Sequence, residues 1–267
     1  RLAAGIALGL GVIGAASAAP IVPGFDTNTL AANDDGSVYP AVALGFDFNF
    51  YGTTYAETYV NNNGNVTFNG ALGTYTPFGL TSTLGIPIIA PFFADVDTRG
   101  AASGLTSYGT GTYAGHAAFG VTWPGVGYFG AHDDKLNTFQ LLIVDRSDIA
   151  AGDADIYFNY AAIAWETGDA SGGSGGFGGS CAAAGYSNGT GDAGTNFEIA
   201  GSHVCGALLD GGPNALVTSS NDGTPGQFLF QVRGGSVTPP PDVPEPISLA
   251  LLGSGLAGLA FARRKRS

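Results

Sequence analysis

Along residues 44–50, "LGFDFNF", apolar side chains alternate with small or polar ones, the two-residue period of a strand with one buried face. The stretch "TYVNNNGNVTF" then sets Asn63-Gly64 between Tyr59 and Val60 on one side and Val66 and Phe68 on the other. Both turn residues tolerate positive φ, so this reads as a hairpin. The runs "GIPIIAPFF", "AAFGVTWPGV", "NTFQLLIVD", "ADIYFNYAAIAW", "NFEIA" and "QFLFQVR" read as further strands, parted by clusters of Gly, Asp, Ser and Asn. No window sustains a 3.6-residue period. The chain is therefore expected to be mainly β, with one sandwich-like domain over residues 19–237. "GDASGGSGGFGGSC", residues 168–181, reads as a mobile glycine-serine loop, because it offers too little apolar surface to order itself.

The two ends follow a different pattern. Arg1 precedes the apolar stretch "LAAGIALGLGVIGAA", and Ala16, Ser17 and Ala18 form a small-residue cleavage site. Residues 1–18 are read as a secretory signal peptide whose start is missing, since no methionine is present. At the other end, a proline-rich spacer over 238–246 leads into an apolar run over 247–262 and a basic tail over 263–267. Sixteen residues make a helix of about 24 Å, enough to span a bilayer if the arginines reach to the interface. Positive charge stays cytoplasmic, which leaves the body facing outward.

The order Val243, Pro244, Glu245, Pro246, apolar helix, then Arg263, Arg264, Lys265 and Arg266 resembles the PEP-CTERM sorting signal of Gram-negative bacteria. That resemblance implies an exosortase-type processing enzyme as partner and a cut near residues 244–246. It also implies delivery to the cell surface or an exopolysaccharide matrix after transient anchoring in the inner membrane. A permanent single-span anchor is the alternative.

With both ends set aside, the body carries Arg99, Lys135, Arg146 and Arg233 against nineteen acidic residues, a net charge near −15. Such a surface repels nucleic acid and attracts divalent cations. Cys181 and Cys205 are the only cysteines, and in an oxidising compartment they are expected to form a disulfide that stabilises the fold by about 3 to 4 kcal/mol. None of His116, His132 and His203 stands at zinc-motif spacing from them.

"APFFADVDTRG" places Asp95 and Asp97 one residue apart, which on an extended strand sets them ~7 Å apart on one face with Val96 turned inward. Arg99 falls on the same side and can offer Asp97 a bidentate pair, so a structural role leads. Calcium is the one cofactor these residues would suit, with Asp95, Asp97, Asp133 and Asp134 converging across strands. Hydrolysis by Asp95 and Asp97 is the catalytic alternative, since inverting glycosidases hold their carboxyls ~6.5–9.5 Å apart. Asn61, Asn62 and Asn63 read as turn builders. Trp123, Trp165, Tyr128 and Phe129 read as core aromatics, with sugar stacking as the functional alternative.

Six stretches in order, "FNFYGTTYAETYVNNNGNVTF", "IIAPFFADVDTRG", "VTWPGVGYF", "LNTFQLLIVDRSDI", "DIYFNYAAIAW" and "SNDGTPGQFLFQVRG", resemble the extracellular nidogen-like (NIDO) domain. The set spans residues 46–234. It departs from the family where Phe93 replaces a common tryptophan and where the Gly-Ser insert is long. The resemblance implies a non-enzymatic adhesion or matrix-assembly module whose partners are extracellular polysaccharide or matrix proteins, with no catalytic residue to transfer. A secreted polysaccharide hydrolase and a calcium-dependent carbohydrate-binding module are the other function classes.

Overall fold

The structure is a computed structural model that describes residues 21–238. The expected signal peptide, the PEP motif at Pro244, Glu245 and Pro246, the membrane helix and the tail at Arg263, Arg264, Lys265 and Arg266 lie outside the described residues.

The first seven strands are β1 (Asn28–Thr29), β2 (Val42–Phe50), β3 (Thr53–Asn61), β4 (Asn65–Thr67), β5 (Ile88–Phe93), β6 (Val96–Asp97) and β7 (Ser107–Tyr113). The next seven are β8 (His116–Tyr128), β9 (His132–Asp145), β10 (Ala154–Ala162), β11 (Ala183–Ser187), β12 (Asn196–Glu198), β13 (Gln227–Arg233) and β14 (Ser236–Thr238). They form two antiparallel sheets. One has the order β1-β7-β8-β9-β10-β13-β14, with β6 added beside β8, and the other has the order β12-β11-β5-β4-β3-β2. Among the described residues the one helical element is a short 3₁₀ turn, Asp169–Ser171.

Alternation builds the main core between the sheets. Phe119, Val121 and Trp123 of β8, Phe139, Leu141 and Ile143 of β9, and Ile156, Phe158 and Tyr160 of β10 point inward. They meet Phe48 and Phe50 of β2, Val60 of β3, Val66 of β4, and Ile89 and Phe92 of β5. The opposite face of β8 and β9, with Ala118, Leu142 and Val144, is covered by Phe25 from the N-terminal segment. That segment is fastened by a reciprocal pair in which Val22 N donates to Gln140 Oε1 and Gln140 Nε2 donates to Val22 O.

β5 is buried throughout, which explains its unbroken apolar run. Its second face, with Ile88, Ala90 and Phe93, packs under Leu80 and its neighbours. Phe93, where the resemblance expects tryptophan, meets Phe78 edge to face at 4.9 Å. Pro91 lies in this central strand at the point where the pairing of β5 with β11 shifts register, and Tyr160 Oη donates to Pro91 O at 2.6 Å. A bulge is where a residue without an N–H is tolerated in a sheet.

Three sequence expectations change here. "SYGTGTY" and "AAGYS" form β7 and β11, although neither reads as a strand. The Asn63-Gly64 hairpin is a three-residue turn, Asn62-Asn63-Gly64, closed by the pair Asn61 and Asn65. The Gly-Ser segment is not an open loop. Gly173 N donates to Gly168 O, Ser180 N to Ser171 O and Glu166 N to Gly176 O, so backbone bonds supply the order that its side chains cannot. Its far end carries the Cys181–Cys205 disulfide.

Candidate functional site

Residues 94 and 95 are where the chain passes from one sheet to the other, since β5 and β6 belong to different sheets. The crossing is tight: Ala94 O accepts from Val96 N at 2.9 Å and Asp95 O accepts from Phe129 N at 3.1 Å. An extended strand would give Asp95 and Asp97 one shared face. The bend at the crossing breaks that period, and the two carboxylates have separate surroundings.

Asp97 is buried and fully engaged. Its Oδ1 accepts from Arg99 N at 2.9 Å and Arg99 Nε at 2.8 Å, and its Oδ2 accepts from Arg99 Nη2 at 2.6 Å and Ala131 N at 2.7 Å. Burial alone would raise its pKa. The bonds from Arg99 and Ala131 outweigh that and hold the carboxyl below its usual range. Arg99 Nη2 also reaches Asp34 Oδ2 at 2.9 Å.

Asp95 is as deeply buried, yet neither of its oxygens bonds a protein group. Asp34 and Asp35 are its neighbours, and one carboxylate oxygen from each of the three lies within 4.8 Å of the others. Burial, and then the charges of Asp34, Asp35 and Asp97, push Asp95 up to about 8 against the pull of Arg99. Burial, then Asp97 and Asp35, push Asp34 to about 6. Gly168 closes the other side, where a Cβ would stand 2.3 Å from Asp95 Oδ2 and 2.6 Å from Phe129 Cβ.

The asparagine turn supports both carboxylates and is wholly buried. Asn62 Nδ2 donates to Val96 O and Asp34 O, and Trp123 Nε1 donates to Asn62 O. Asn63 Oδ1 accepts from Val96 N, while its Nδ2 donates to Asp35 Oδ1 and Thr74 O. Gly64 makes the turn fit, because at φ +72° any Cβ would lie 1.7 Å from Phe92 O. The turn residues expected from sequence thus also position the loop over 33–36 against the sheet crossing.

The four-carboxylate calcium set expected from sequence is not assembled. Asp133 Oδ2 accepts from Ala102 N, and Asp134 takes Tyr128 Oη at 2.8 Å and Lys135 Nζ at 2.5 Å. Both belong to β9 and are spent on local bonds, whereas the groups beside Asp95 come from a loop some sixty residues upstream. Sequence reasoning missed Asp34 and Asp35. "NDDG" is legible as a turn, and Asn33 Oδ1 does accept from Gly36 N, but nothing local links it to residue 95. Trp123 and Trp165 are fully buried core residues, with Trp165 Nε1 donating to Val126 O.

The NIDO-related family model matches residues 16–200, and a PEP-CTERM protein-sorting motif matches residues 242–266. The chain belongs to the NIDO-related family, and it carries an exosortase sorting motif, which marks it as an exported protein. It is 31% identical over 237 residues to alpha-tectorin of Mus musculus and of Homo sapiens, covering 80% of this chain and 10% of each relative. It is 33% identical over 119 residues to nidogen of Drosophila melanogaster, covering 36% of this chain and 8% of that protein. The chain therefore spans about a tenth of the length of these relatives. No solved structure matches it.

Proposed function

We propose that this protein is a surface or exopolysaccharide-matrix component with a non-enzymatic role in adhesion or matrix assembly. The observation that carries this reading is the joining of a NIDO-related domain to a PEP-CTERM motif in one chain. Nidogen and alpha-tectorin contain the same kind of domain as a small part of much longer chains, which fits a module that joins other components. The partners are extracellular polysaccharide or matrix proteins, and exosortase releases the chain from its transient anchor. Asp97 weighs against the hydrolase reading, because both its oxygens already accept two bonds and none is left to activate water.

Glu245→Ala should leave unprocessed precursor in the inner membrane, read by fractionation and intact mass. The purified exported protein should co-sediment with matrix polysaccharide from its own host and leave the polymer's length unchanged. Depolymerisation by the wild type, lost in Asp95→Asn and Asp97→Asn variants that melt normally, would replace the adhesive reading with the hydrolytic one.

A further inference from the structure

We propose that Asp34, Asp35 and Asp95 form a binding site for a hard divalent cation of the calcium type, at the point where the chain crosses between the two sheets. Three observations carry this. First, the three carboxylates converge, each offering an oxygen within 4.8 Å of the others. Second, the buried oxygens that no protein group satisfies gather here. Among the described residues four buried side-chain oxygens lack a hydrogen bond, and three of them are Asp34 Oδ1, Asp95 Oδ1 and Asp95 Oδ2. Buried polar groups in folded proteins are paired, so a buried carboxyl with both oxygens orphaned points to a partner the protein itself does not supply.

Third, no cationic side chain is left to be that partner. Lys135 is held by Asp134, and Arg146 and Arg233 are held by Asp155. Arg99 is spent on Asp97 and on Asp34 Oδ2, not the orphaned Oδ1. These four are the only lysines and arginines in the described residues. Asp35 Oδ1 accepts only from the neutral amide of Asn63, which leaves its charge uncompensated as well.

The donor set selects the ion. All three ligands are carboxylate oxygens, with no imidazole or thiolate beside them, which suits calcium or magnesium and disfavours zinc and copper. The ligands come from an irregular loop and a sheet crossing, and calcium tolerates such irregular geometry better than magnesium does. An exported protein meets calcium at concentrations where extracellular sites with Kd of roughly 10⁻⁴–10⁻³ M fill.

A bound cation would tie the loop over 33–36 to the crossing at Asp95. Through Asn63 it would also brace the segment at Thr74, and through Gly168 the start of the Gly-Ser segment. It would thereby order one end of the sandwich without touching the main core.

The test uses the full chain purified with chelator and titrated with calcium chloride, by calorimetry and by thermal melting. Wild type should bind one equivalent and melt at a higher temperature with calcium. Asp95→Asn and Asp35→Asn should bind at least tenfold more weakly, and Asp133→Asn should bind as wild type does. In chelator, Asp95→Asn should melt no lower than wild type, because it removes a buried carboxyl whose oxygens have no protein partner. A carboxylate needed only for structure would give the opposite, a lower melting temperature with or without calcium. Absence of a saturable calcium response in wild type, or its retention in both Asp95→Asn and Asp35→Asn, would overturn the site.

Discussion

Asp95 and Asp97 are equally buried and two residues apart, yet the carboxylate of Asp97 makes four hydrogen bonds and that of Asp95 makes none. The difference arises from the sheet crossing, which holds Asp95 and ends before Asp97. Asp97 sits on β6, where the turn to Arg99 folds the guanidinium back on it and the loop after β8 brings up the N–H of Ala131. Asp95 sits in the crossing itself, where its neighbours are two more carboxylates. Burial of a carboxyl group is costly in both places, and only one of them compensates it with protein groups. Spacing in sequence therefore fixes which residues are close, and the bend fixes what each of them is close to.

The largest expected effect breaks the satisfied half of this contrast. Asp97→Ala strands the Ala131 N–H and frees Arg99, and should destabilise by about 3 kcal/mol, with a fall in Tm of roughly 6–12 °C. A melting temperature within a degree of wild type would mean that the four bonds contribute little.

A smaller effect probes the unsatisfied half from outside. Gly168 has φ −95°, which alanine adopts freely, so Gly168→Ala acts through its new Cβ and not through the backbone. That carbon meets Asp95 Oδ2 and Phe129 Cβ, and an overpacked contact of this kind should cost about 1–3 kcal/mol. If the carboxylate is the main obstacle, adding Asp95→Ala restores part of the Tm in calcium-free buffer. Strictly additive losses would show instead that Phe129 dominates.

Much of this is legible in the sequence, and the remainder divides by range. Strand periods over residues 44–50 and 227–233 and the Asp97–Arg99 pair depend on neighbours in sequence, and the disulfide follows from there being only two cysteines, so all of these are legible there. β7 and β11 could not, because "SYGTGTY" and "AAGYS" are small and polar. They are strands through pairing, β7 along its whole length against residues 116–122 of β8 and β11 between β5 and β12. The same holds for the site. The triple asparagine reads as a turn from its local chemistry, while its bonds to residues 34, 35, 74 and 96 are set by tertiary structure alone.

Arg99→Lys tests the geometry of the satisfied carboxylate while leaving its charge balance in place. Lysine cannot offer the two-nitrogen fork that now grips both oxygens of Asp97, nor reach Asp34 at the same time. The backbone N–H groups of residues 99 and 131 still donate, so the loss of Tm should be smaller than for Asp97→Ala. Equal losses in the two variants would assign the whole effect to the guanidinium.

The smallest effect comes from a second partnered carboxylate, away from the crossing, which shows what ordinary pairing looks like. Glu198 Oε1 accepts from Leu80 N at 2.6 Å and lies 3.2 Å from His203 Nε2. The bond from His203, aided by Leu80 N and opposed by burial, lowers its pKa from the usual value. The folded state thus favours the ionised form. Its contribution to stability is fully present above the unfolded pKa of about 4.3, and it is lost as pH falls through the lower folded value. Glu198→Gln keeps an acceptor for Leu80 N but cannot ionise, so it should cost less than about 1 kcal/mol at neutral pH. Denaturant midpoints for wild type and Glu198→Gln should therefore differ at pH 7 and converge as the pH drops below about 4. A gap that persists unchanged at low pH would show that Glu198 acts by shape and not by charge, and would remove it as the partnered reference for Asp97.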